Sequence, residues 1–174
     1  MLRLSIIATL LIACTSQEVP DVEPDASLVA DMQIGIGLDG SEGFLAVEDG
    51  EDTVLSSGAQ GGYHVWTAPR FRGAMGTVYL DRKARRVEDG LLVLRASRLV
   101  LEIPEGAMDS WWHEDQAFPS FMCPPPIGIQ IYDSEIEFTF ELRNEDEELL
   151  ATDTLRLTPR CPEGDEYCLS TCSG

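Results

Sequence analysis

Glu135-Ile136-Glu137-Phe138-Thr139-Phe140-Glu141-Leu142 is apolar at every second position and polar between. A strand turns successive side chains to opposite faces, so this octet presents one oily face and one wet face. An acid-rich turn, Asn144 to Glu148, follows, and Leu149-Leu150-Ala151-Thr152-Asp153-Thr154-Leu155-Arg156-Leu157 then alternates again. Two such runs about a polar turn predict a hairpin buried on one side. Outward from this hairpin, shorter strand-like runs recur at 33–38, 44–47, 63–68, 76–80, 91–95, 98–103 and 127–132. Asp39-Gly40, Asp49-Gly50, Gly61-Gly62, Asp89-Gly90 and Glu105-Gly106 punctuate them as turns. The expectation is an all-β chain, an antiparallel immunoglobulin-like β-sandwich over 33–160 with a disulfide-stapled C-terminal tail at 161–174. A closed barrel is the alternative, which strand patterns alone do not separate. No Cys…Trp…Cys spacing of antibody domains is present, so the likeness is one of architecture.

The chain has 174 residues, room for one domain of ordinary size. Its 31 acidic side chains against 12 basic ones give a net charge of −19. Such a field repels phosphate backbones, which excludes general nucleic-acid binding.

Met1-Leu2-Arg3 is followed by an apolar run from Leu4 to Ile12, too short to span a bilayer, ending in Leu11-Ile12-Ala13-Cys14. This resembles the lipobox of bacterial lipoproteins. The resemblance implies cleavage of a signal peptide at 1–13, a thioether-linked diacylglycerol on Cys14 and acylation, as by palmitate, of the new amino terminus. Several acyl chains on one residue suffice for stable anchoring in a membrane. Residues 14–32 carry Pro20, Pro24 and a run of acids, and read as an extended tether. Thr15 stands where an inner-membrane retention aspartate would stand, so the family rule points to the outer membrane of a diderm bacterium.

Four further cysteines, Cys123, Cys161, Cys168 and Cys172, suit an oxidising envelope and two disulfides. Of the three pairings available, Cys123–Cys161 with Cys168–Cys172 is the expectation. A Cys₄ zinc site is the alternative, but the spacing lacks paired C-x₂-C knuckles.

Residues 105–126 break the strand rhythm and read as one long loop holding Trp111, Trp112 and His113. Its aromatics either form a ligand loop or close the core, and packing is the commoner use of tryptophan. Gly35-Ile36-Gly37-Leu38-Asp39-Gly40 matches G-x-G-x-x-G but opens no helix, so it reads as a turn and implies no dinucleotide cofactor. The acid clusters at Glu48–Asp52 and Asn144–Glu148 admit structural Ca²⁺ as a minor reading, against solvated loop tips. No catalytic motif is visible, and His64 and His113 are the only histidines.

Arg82, Lys83, Arg85, Arg86, Arg95 and Arg98 crowd one segment of an acidic chain. Two readings stand side by side: a docking ridge for an envelope protein or anionic glycan, and cross-strand neutralisation by facing glutamates.

Gly58-Ala59-Gln60-Gly61-Gly62-Tyr63-His64-Val65-Trp66, the proline stretch before Ile127 and the Arg160-Cys161-Pro162…Cys168…Cys172 tail resemble segments of uncharacterised lipoproteins of myxobacteria and related delta-proteobacteria. That family implies the address and no activity. The function expected is a membrane-anchored binding or assembly module without catalysis. Its alternative is a hydrolase-like envelope enzyme at His64 or the Trp111–His113 loop.

Overall fold

The computed structural model describes residues 29–37, 43–59 and 61–174. Cys14, the signal segment 1–13, most of the 14–32 tether and the end of the G-x-G-x-x-G segment lie outside the described residues. The described residues are all-β apart from one 3₁₀ turn at Glu105–Met108 and one short helix near the C-terminus. No helix among the described residues is long and apolar enough to cross a membrane.

Two five-stranded sheets enclose one apolar core. The first sheet is built around β4 (Tyr63–Arg72). On one side of it lie β1 (Asp31–Ile36) and β3 (Ser56–Ser57); on the other lie β7 (Trp112–His113) and β8 (Phe118–Cys123). The second sheet runs in the order β2 (Glu51–Val54), β10 (Leu149–Arg160), β9 (Ile136–Arg143), β5 (Gly76–Arg86), β6 (Leu92–Ile103). The hairpin expected from alternation is β9–β10, with Leu157 opposite Ile136 and Leu155 opposite Phe138. Ile136, Phe138, Phe140 and Leu142 are all fully buried. Each such side chain contributes roughly 1.5–3 kcal/mol by leaving water.

The architecture departs from the sequence expectation in several places. The sheets are not wholly antiparallel: β2 pairs parallel with β10 at the sheet edge. It is held there by Asp49 Oδ1, which accepts from the Arg156 amide at 2.7 Å. The run at 44–47 forms only a single bridge, Leu45 to Ile36. The runs at 91–95 and 98–103 are one strand, β6, bulged near Arg95–Ala96. The alternating isoleucines at 127–132 make no strand. Ile127 faces solvent, while Ile129 and Ile131 are buried in a loop whose Ile131 amide donates to the Cys172 carbonyl.

The expected long loop at 105–126 contains β7 and β8. Pro119 hides β8 in the sequence, because proline is tolerated only where its missing N–H faces no partner. Here β8 pairs on one side only, with β4.

The C-terminal tail carries α1 (Glu166–Thr171), N-capped by Asp165, whose side chain accepts from the Cys168 amide. Tyr63 donates its hydroxyl to the same carboxylate at 2.7 Å. Burial, then this bond, pushes the Tyr63 hydroxyl up to about 12. The four described cysteines are all oxidised, but the pairing is Cys123–Cys172 and Cys161–Cys168, not the one expected. Spacing favoured the neighbours Cys168 and Cys172. The helix instead turns both into the core, one toward β8 and one toward the end of β10. Cys161, Cys168 and Cys172 sulfurs cluster within 4.8 Å because the two bridges meet there.

Candidate functional site

Alternation along β4 sends Tyr63, Val65 and Phe71 into the core and His64, Trp66 and Arg70 to the outer face of the first sheet. At one end that face is closed. The Arg70 guanidinium lies between the Phe44 ring at 4.4 Å and the Trp111 ring at 4.5 Å, and donates to Gln33. Gly35 makes room for this cover, since a Cβ there would stand 2.3 Å from the Leu45 carbonyl. Trp112 packs on Phe71 with ring centroids 6.2 Å apart. His113 is exposed, its Nδ1 at 2.8 Å from the Glu114 carbonyl. The expected ligand loop is thus split: Trp112 supports the core, and Trp111 covers an arginine.

The other end is open. His64 is 3% exposed, and neither ring nitrogen has a hydrogen-bond partner among the described residues. The Trp66 indole meets it edge-on at 4.4 Å, and Phe121 lies 5.7 Å away. Burial alone lowers its pKa, so the ring is neutral near pH 7.

The turn above the imidazole explains the glycines before it. Gly58 donates its amide to the Gly62 carbonyl at 2.7 Å, and Gly61 takes a φ of +83°. A Cβ on Gly62 would stand 2.5 Å from the Cys123 carbonyl, so only glycine lets the turn close against β8.

Three hollows surround Trp66. One of about 580 Å³ is lined by Ser57, Gly58, His64, Trp66, Pro119 and Phe121, among others. A second of about 540 Å³ lies between Trp66, Pro119 and the polar segment Glu114-Asp115-Gln116. A third of about 220 Å³ is bounded by Asp52, Thr53, Ser56 and Trp66. Phe121, at 61% exposure, stands at the wall of the first hollow. Sequence reasoning singled out His64 and Trp66 but missed Pro119 and Phe121, because β8 was hidden in the loop.

Comparison with family models, curated proteins and solved structures gave no match to this chain.

The basic segment is arranged differently from a free ridge. On the outer face of the second sheet Arg98 pairs with Asp81 at 2.8 Å and Glu147 at 2.5 Å, and Lys83 with Glu141 at 3.2 Å. Arg143 bridges Glu141 and Asp81 at 2.6 and 3.5 Å. Arg86 is paired with Asp89, and Arg85 donates to the Gly90 carbonyl. Arg95 is exposed without such a partner among the described residues. Arg82 points the other way, into the core side of β5, 6% exposed, with its Nε and Nη1 unpartnered and Phe118 5.6 Å from its guanidinium carbon. Burial pushes it down to about 10.

Both acid clusters spend carboxylates on the fold. Asp52 pairs with Arg160 at 3.0 Å, and the Asn144 side chain bonds Glu148 across its turn. For hydrolysis, His64 lacks what an activated nucleophile requires: among the described residues no carboxylate orients its ring.

Proposed function

We propose that this chain is a membrane-anchored envelope lipoprotein, held by lipid on Cys14 at the outer membrane, that acts as a non-enzymatic binding module. The body is read as an immunoglobulin-like β-sandwich whose binding surface is the Trp66 end of the first sheet. The observation carrying this is the group of hollows around Trp66, roofed by a glycine turn and walled by the exposed Phe121. Ligand sites are concave and mostly apolar, with a few convergent polar groups, and this end of the sheet has that make-up. The competing docking ridge loses Lys83, Arg86 and Arg98 to ion pairs within the fold, and Arg82 to the core side of β5.

Two experiments test the reading. Cys14→Ala is expected to move the protein from the membrane fraction to the soluble one, and retention at the membrane would overturn the anchor. A tagged pull-down from detergent-solubilised envelope compares the parent with Trp66→Ala and with the Lys83→Ala/Arg85→Ala double variant. Loss of a partner with Trp66→Ala alone supports the Trp66 surface; loss with the basic variant alone returns the site to the ridge.

A further inference from the structure

The Trp66 surface, taken as the binding site above, points to a class of ligand. We infer that it binds a neutral oligosaccharide, with sugar rings seated on either side of the Trp66 indole.

Three observations converge. The two larger hollows, about 580 and 540 Å³, share Trp66 and Pro119, so a ligand of linked units lies across one indole with a unit in each. The walls differ in a way that suits a pyranose. Trp66, Phe121 and Pro119 offer flat apolar faces for C–H groups, while Ser57, Glu114, Asp115 and Gln116 offer donors and acceptors for hydroxyls. His64 adds a neutral imidazole, one donor and one acceptor, both unpartnered under the Gly58–Gly62 turn.

Charge and topology exclude the nearest competitors. Among the described residues no cation lines either hollow, Glu114 and Asp115 border one of them, and the chain carries −19, so a polyanion is repelled. A peptide adding as a strand needs a free edge, and β4 has none: Thr67 faces Ile36 and Phe118, Tyr63 faces Ser57 and Cys123. The unpaired edge beside the hollows is that of β8, where Pro119 has no N–H to offer a peptide strand. Recognition there runs through side chains.

The test is tryptophan fluorescence and equilibrium binding of the folded chain against chitin, cellulose and mannan oligosaccharides, with heparin as the anionic arm. The expected result is saturable binding of at least one neutral oligosaccharide, unchanged on raising salt to about 0.5 M. Trp66→Ala is expected to weaken it by about tenfold or more, the loss of one aromatic stacking contact. Phe121→Ala, at a more exposed position, serves as the second variant and is expected to weaken it several-fold while leaving the melting temperature close to that of the parent. No binding to any neutral sugar, binding to heparin alone, or equal binding by both variants would overturn the inference. The envelope pull-down separates the two readings: a protein partner lost with Trp66→Ala, beside a silent sugar panel, keeps the surface and discards the ligand class. Loss of neither discards both.

Discussion

The two sheets turn very different faces to solvent. The outer face of the second is a ladder of opposite charges, Arg98 with Asp81 and Glu147, Lys83 and Arg143 with Glu141, Arg156 with Glu137, answered across neighbouring strands, along one strand or from the adjoining turn. The outer face of the first is aromatic: one end is filled by Phe44, Arg70 and Trp111, while the other buries an unpartnered His64 and leaves Trp66 and Phe121 without such a cover. A cluster of cations along a sequence is therefore poor evidence of a site when alternation puts acids opposite it. Unsatisfied aromatic and imidazole surface is better evidence, because folding alone gives it no reason to stay open.

The bridge that braces the open face is the first place to break the contrast. Cys123 ends β8 and lines the hollow beside His64, and its bond to Cys172 closes a segment with a sequence separation of 49. Replacing both partners by serine is expected to cost about 4 kcal/mol, against about 2.5 kcal/mol for the shorter Cys161–Cys168 loop, by loop-closure entropy. Denaturant unfolding of the two double variants measures the order, and an equal or reversed order would show that strain or residual structure dominates.

Arg82 tests the inner face against the outer ones. It is the cation of β5 that alternation buries, and Ser97, opposite it in register, has an unpartnered Oγ as well. Since an uncompensated buried charge is costly and an apolar isostere is not, Arg82→Met is expected to raise stability by about 1–3 kcal/mol. A loss on urea unfolding would mean that the guanidinium has a partner worth keeping.

Asp81 is the hub of the charged ladder, accepting from Arg98 and lying near Arg143. Asp81→Asn is expected to cost on the order of 1 kcal/mol at low salt and less at high salt, as half-exposed pairs do. The salt series is the check, because a loss indifferent to salt would be steric.

Titration separates the faces by pH window. His64 has its pKa lowered by burial, so below about pH 6.5 the unfolded chain binds a proton that the folded chain refuses. Stability then falls as pH drops from 6.5 toward the folded value. Asp81 is lowered chiefly by the hydrogen bond from Arg98, so its contribution persists above the ordinary carboxylate range and is lost only in more acid solution. Denaturation midpoints at about pH 7.5 and 5.5 are expected to differ in the parent and to converge in His64→Phe, with Asp81→Asn keeping the parent's difference. Convergence in neither would place the slope elsewhere.

Where alternation and burial agree, the elements could be read directly. Phe138 and Phe140 declare β9, and the hairpin to β10 follows from the polar turn between them. Where burial comes from a neighbour remote in sequence, the pattern misleads. Ile129 and Ile131 alternate like a strand, yet they are buried by the C-terminal segment that reaches them through Cys172. Phe118 to Cys123 is a strand that Pro119 disguises, and half of the candidate site went unseen with it.

Residue order alone determined the β class, the oxidised state of the cysteines and which residues of β9 face inward, because each depends on local periodicity or on composition. Tertiary structure decided the rest. It set which sulfur meets which, which carboxylate answers each arginine, and that the Ser57–Trp66 and Pro119–Pro124 stretches enclose one hollow. These depend on strand order and register, which place distant residues within a few ångströms and which no local pattern encodes.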